Sequence, residues 1–187
     1  AYSLTVEKGT ELFTIVKDKI IKMPIDMDAK FYQNIKEKLT LHGYNFYEIS
    51  NFSKPDLQCK HNLHYWDIEP YLGFGPSAHS FDNKYRWWNT KSIDMYLKNI
   101  ESNKSVKCNI EVLSTKHKVN ETIGFGLRMS SGIELNRLPK KYKKDLEKKL
   151  ILVEKKFKDC FKWKDSNVQL TSKGILFADE ITVELIF

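Results

Sequence analysis

His61-Asn-Leu-His-Tyr-Trp66, preceded by Glu48-Ile-Ser-Asn-Phe52 and followed by Tyr71-Leu-Gly-Phe-Gly-Pro-Ser-Ala-His-Ser80, is the densest chemistry in the chain. These 33 residues bring together three imidazoles (His61, His64, His79), the thiol of Cys59, many rings and a glycine-rich turn, with few charges. A solvated helix carries more charge, and an ordinary core strand carries fewer imidazoles and glycines. The stretch therefore reads as a site suited to something flat or anionic.

Outward from it, the pattern upstream is that of an α/β unit. Tyr2-Ser-Leu-Thr-Val-Glu7 alternates apolar and polar residues as a strand does. Leu12 to Lys22 is apolar but ambiguous. Asp26-Met-Asp-Ala-Lys30 places acids in the first turn of a helix that carries Phe31, Ile35 and Leu39 on one face, with Gly43 at its C-cap. Tyr44 to Ile49 follows as a strand, broken by Ser53-Lys-Pro-Asp56. Strand, helix, strand predicts parallel strands joined by a covering helix. The motif stretch itself reads as loop plus short strand, with Tyr71-Leu-Gly-Phe-Gly75 as a buried strand entering a turn. The strand-like start without an initiator methionine reads as the interior of a longer chain.

Downstream, Ser92 can cap a helix carrying Ile93, Tyr96, Leu97 and Ile100, and polar Asn99 to Lys107 reads as a linker. This sets two domains, 1–107 and 108–187. The second is predicted to be mainly helical: Lys118 to Met129, then Tyr142 to Val153. A hairpin of Phe161–Trp163 with Val168–Leu170 follows, and a last helix capped by Thr171. That order is winged-helix-like. The fold class is α/β plus α.

With 187 residues the chain can bury a core. The net charge of +7 arises from 31 basic and 24 acidic residues. Lys116 to Asp165 alone has 15 basic against 7 acidic residues, a net of +8, but only two of the 15 are arginine. Base-reading surfaces favour Arg and polar forks, so a solvated lysine face accounts for the excess better than nucleic acid does. Cys59, Cys108 and Cys160 lie 49 and 52 residues apart, which suits neither a disulfide framework nor a metal knuckle and points to a reducing cytoplasm. No apolar run is long enough to span a membrane.

As residue types, His61 and His64 at i, i+3 can share a metal on a helix, but no third ligand stands beside them. One imidazole with Tyr65 and Trp66 can equally serve heme, as axial ligand and ring wall, or be a packed core histidine. The Gly73–Gly75 turn lacks the third glycine of a dinucleotide fingerprint, and its amides can either hold an anion or simply turn the chain. Cys59, beside Lys60 and His61, can be a reactive thiol or an inert one.

Taken in series, Tyr47-Glu-Ile-Ser-Asn-Phe52, His61-Asn-Leu-His-Tyr-Trp66, Tyr71-Leu-Gly-Phe-Gly-Pro-Ser-Ala-His-Ser80 and Gly126-Leu-Arg128 resemble the oxygen-independent coproporphyrinogen III oxidase-like radical SAM family, and within it the heme-chaperone branch. The resemblance implies the C-terminal portion of such a protein: the last strands of a partial (β/α) radical SAM barrel, then a helical, winged-helix-like closing domain. It implies heme or porphyrin as ligand, and a hemoprotein as recipient. Its HNxxYW motif falls on His61 as iron ligand, Asn62 as orienting group, and Tyr65 and Trp66 as hydrophobic wall, with His64 and His79 as alternative ligands. The alternative within the family is the oxidase, which decarboxylates coproporphyrinogen III oxidatively. The [4Fe-4S] cluster and S-adenosylmethionine belong to the full-length protein, because the CxxxCxxC loop is absent from this sequence. No radical chemistry is expected of this chain alone.

Overall fold

Three of the described helix starts are written locally in this chain, by Thr10, Ser92 and Ser114 side chains that satisfy the first free amides. In the computed structural model, which describes residues 1–2, 4–17 and 27–187, Thr10 accepts a hydrogen bond from the Phe13 amide at 3.2 Å and opens α1 (Glu11–Lys17). The helix expected from Asp26 is α2 (Asp28–Leu41). It ends on Gly43, whose φ of +76° lets the Tyr44 amide reach back to the Leu39 carbonyl at 2.9 Å. Residues 18–22 of the ambiguous apolar run, Asp26 and Ser3 lie outside the described residues.

Two expectations fail upstream. Residues 4–7 form no strand, and Tyr2 and Leu4 are exposed, because among the described residues no strand pairs with this alternating run. The strand after α2 is β1 (Asn45–Glu48), and it turns straight back into β2 (Asn51–Ser53) as an antiparallel hairpin. The two-residue loop Ile49-Ser50 permits only that direction. Glu48, fully buried, accepts from the Ser50 amide at 3.0 Å and from Asn51 Nδ2 at 2.5 Å. The Glu48-Ile-Ser-Asn-Phe52 motif is thus the corner of a hairpin, closed by its own carboxylate.

The described chain divides into two compact units, Ala1–Gln58 and Cys59–Phe187. The second opens with α3 (Lys60–Trp66), where loop and strand were predicted. The antiparallel sheet β3 (His79–Phe81), β4 (Tyr85–Asn89) and β5 (Lys107–Val112) follows, with α4 (Ile93–Glu101) between β4 and β5. The Met95 amide bonds the Ser92 hydroxyl at 3.3 Å, as the capping pattern predicts. Lys107, the end of the predicted linker, is a strand residue opposite Asn89. Tyr71 meets β3 only as a single bridge to Phe81, with Leu72 and Phe74 exposed, so the buried strand predicted there does not form.

Next come α5 (Thr115–Arg128), β6 (Ile133–Glu134), α6 (Lys140–Lys156), the hairpin β7 (Phe161–Lys164) and β8 (Asn167–Leu170), and α7 (Ala178–Leu185). The hairpin is the predicted one. β6, missed as too short to alternate, pairs with β8 and gives the order β6-β8-β7. A capping box of Ser114 and His117 starts α5. Val119, Ile123 and Leu127 then recur every four residues and bury against Leu146, Leu150 and Val153 of α6 and Ile181 and Leu185 of α7. At about 1.5–3 kcal/mol for each fully buried aliphatic side chain, this is the unit's main source of stability. Among the described residues every strand pair is antiparallel and no barrel closes.

Candidate functional site

Helix α3 divides its motif between two stripes. His61 and Tyr65 are four residues apart and share one side, and their rings meet edge-on at 4.9 Å. Trp66 lies five residues from His61, about 140° around the axis. It turns to α5, where its ring meets Phe125 edge-on at 5.4 Å and the Arg128 guanidinium lies 5.5 Å from its centroid. His61 and Trp66 therefore do not present one common wall. Asn62, one turn before Trp66, is half-buried.

The three imidazoles stand in different surroundings. His61 is exposed, and its ring nitrogens have no hydrogen-bond partner among the described residues. His64 Nε2 lies 2.8 Å from the Pro70 carbonyl, which can only accept, so that nitrogen carries the proton and is not open to a metal. His79, on β3, stacks on Trp88 at 5.5 Å with 27° between the rings. His61 and His79 are thus both exposed with ring nitrogens free of hydrogen bonds among the described residues, and His79 differs in stacking on Trp88.

Rings continue from His61 into the sheet. Tyr65 meets Tyr71 at 4.6 Å, Tyr71 meets Phe81 at 6.2 Å, and the Arg86 guanidinium sits 5.3 Å from the Phe81 centroid. Arg86 then bonds Glu121 of α5 through two hydrogen bonds, 2.6 and 3.1 Å. Glu121, Phe125 and Arg128, at i, i+4 and i+7, form one face of α5 that receives α3 directly and through this chain of rings. The sequence reading missed Glu121 and Phe125, although their helical spacing with Arg128 is visible in it.

The glycine turn is a structural corner. The Gly73 amide donates to Ser80 Oγ at 3.0 Å and the Gly75 amide to Tyr96 Oη at 3.1 Å, while buried Asn89 donates to the Gly75 carbonyl at 2.9 Å. Neither amide is left facing outward for an anion. A Cβ on Gly73 would come within 2.1 Å of the His79 carbonyl oxygen, so only glycine fits. Beside α3 a cavity of about 590 Å³ opens between Trp66, Phe81, Lys118, Met129 and Arg137. Trp66 is the one α3 residue on its wall.

Among the described residues no three His, Cys, Asp or Glu side chains gather as a metal site. Cys59 and Cys108 are exposed, and Cys160 is buried with its thiol pushed up by that burial. No trio of cysteines here fits a [4Fe-4S] cluster. No described helix is long and apolar enough to cross a membrane.

No protein-family model matches the chain. The heme chaperone HemW of Lactococcus lactis is 36% identical over 148 residues, covering 79% of this chain and 38% of that protein. HemW of Bacillus subtilis is 31% identical over 183 residues, covering 96% of this chain and 48% of that protein. The chain belongs to the HemW/HemN-like radical SAM family. Among solved structures, coproporphyrinogen III oxidase (HemN) of Escherichia coli, a radical SAM enzyme, superposes with a TM-score of 0.63 at 17% identity, covering 82% of this chain and 39% of that one. That likeness is one of fold alone. The chain spans less than half the length of these HemW relatives.

Proposed function

We propose that this chain is the heme-handling portion of a heme chaperone, with His61 as axial ligand to the iron and Tyr65 beside it. The observation that carries the reading is the open imidazole of His61, braced edge-on by Tyr65 at 4.9 Å on an exposed helix. Tyr71, Leu72 and exposed Phe74 continue an apolar border beyond it, which suits a macrocycle that is largely apolar. Asn62 and Trp66 would orient the helix rather than wall the ligand. The cargo would pass to an apo-hemoprotein, and the unit α5–α7 with β6-β8-β7 would close the larger protein as a winged-helix-like domain. The cluster and S-adenosylmethionine would be held elsewhere in the full-length protein.

The test is hemin titration of the full-length protein, followed in the Soret band. A shift that His61→Ala abolishes and His64→Ala leaves intact supports the assignment. A His61→Ala spectrum identical to the parent removes His61 as ligand. The fold likeness to the HemN enzyme favours a second reading, the oxidative decarboxylation of coproporphyrinogen III. Turnover of that substrate by the full-length, cluster-loaded protein would establish it over the first.

A further inference from the structure

Gly126-Leu-Arg128 stood out in the sequence without a role, and the structure supplies one. We propose that Arg128, acting through Trp66, is a positioning residue that sets the direction in which His61 points. The inference deepens the heme-handling reading and rests on it for its consequence, but not for its geometry.

Helix α3 is seven residues long, carries no side-chain cap at its start and buries none of its residues completely. A helix that short has little stability of its own, so its roll about its axis is set by what its side chains meet. Two anchors do this. On the Tyr65 stripe the anchor is Tyr71, at 4.6 Å. On the Trp66 stripe it is α5, with Phe125 on the indole at 5.4 Å and the Arg128 cation 5.5 Å from the ring centroid.

The Tyr65 anchor returns to the same helix: Tyr71 leads through Phe81 and Arg86 to Glu121. One face of α5 thus grips both stripes of α3, and Arg128 is its last residue. A cation near an indole adds attraction that a neutral side chain lacks. Its loss removes one of the two ring contacts that fix the Trp66 indole, and the resulting rotation is carried along the short helix to the imidazole.

The full-length protein with isotope-labelled histidine, as parent, Arg128→Ala and Arg128→Lys, tests this. In Arg128→Ala the His61 ring signals shift, those of His117 at the far end of α5 do not, and the thermal melt stays a single transition. Hemin affinity falls about fivefold or more with a changed spin state, while Arg128→Lys, which restores a cation to the indole, recovers most of both. Unmoved His61 signals in Arg128→Ala overturn the proposal whatever hemin does. A shift that Arg128→Lys leaves uncorrected also overturns it, because it would reflect lost packing alone. Should hemin fail to bind the parent, the heme reading falls, and the His61 signals still decide whether Arg128 positions that ring.

Discussion

Arg86 and Glu121 are joined by two hydrogen bonds, 2.6 and 3.1 Å, that tie strand β4 to helix α5 across 35 residues of sequence. Both side chains are mostly buried, and the hydrogen bonds from Glu121 raise the Arg86 guanidinium above its ordinary pKa. Paired forks of this kind exceed neutral hydrogen bonds, and a lone partner left behind is costly. Arg86→Ala or Glu121→Ala should each cost about 2 kcal/mol by denaturant titration. The double variant should cost clearly less than the sum, so additive losses would refute the coupling.

Gly73 sits where backbone meets backbone, with no room for a Cβ beside the His79 carbonyl. Gly73→Ala should cost about 1–3 kcal/mol, since neither chain segment can yield without breaking the bonds of Ser80 and Asn89. Gly9→Ala offers the comparison, because nothing lies within 4 Å of a Cβ there, although its φ of +88° still costs some strain. An equal loss of melting temperature at both positions would argue against the steric account.

The three thiols should separate by rate. Cys59 and Cys108 are exposed, whereas Cys160 is buried among the core residues of α5–α7 and burial raises its pKa. Ellman's reagent should label two thiols rapidly in the native protein and the third only with unfolding. Rapid labelling of Cys160 under native conditions would contradict its burial.

Asp82 closes the β3–β4 turn by accepting from the Tyr85 amide at 2.6 Å and the Lys84 amide at 2.9 Å. These bonds, Tyr85's first, hold its carboxyl below the ordinary value. A depressed carboxylate pKa stabilises the fold above the unfolded value and loses that contribution as pH falls through the folded one. Asp82→Ala should therefore melt below the parent at neutral pH, and the difference should close in acid. A gap that persists in strong acid would mean that the turn, not the charge, is responsible.

Much of the second unit was legible because its signals are local. Ser92, the Phe161–Leu170 hairpin and the apolar spacing of α5 and α6 each declare themselves within a few residues, through capping, turn chemistry and helical period. The upstream strand at Tyr2–Glu7 misled for a complementary reason: alternation is necessary for a strand, but pairing makes one, and no partner is present among the described residues.

The motif shows the same division. Its residue types, and the likeness they carry to a heme-handling family, are properties of sequence, and the HemW relatives bear out the family. What each imidazole meets was decided by the fold. His64 donates to a carbonyl six residues on, and His79 stacks on a tryptophan from the neighbouring strand. Trp66 meets Phe125 of α5 because α3 is a helix and five residues carry its side chain away from the His61 side. Sequence alone determined the chemistry available to this protein. The packed structure decided where each group points, through near contacts such as His64 with Pro70 and through distant ones such as Trp66 with Phe125 and Arg86 with Glu121, made only once sheet and helices pack.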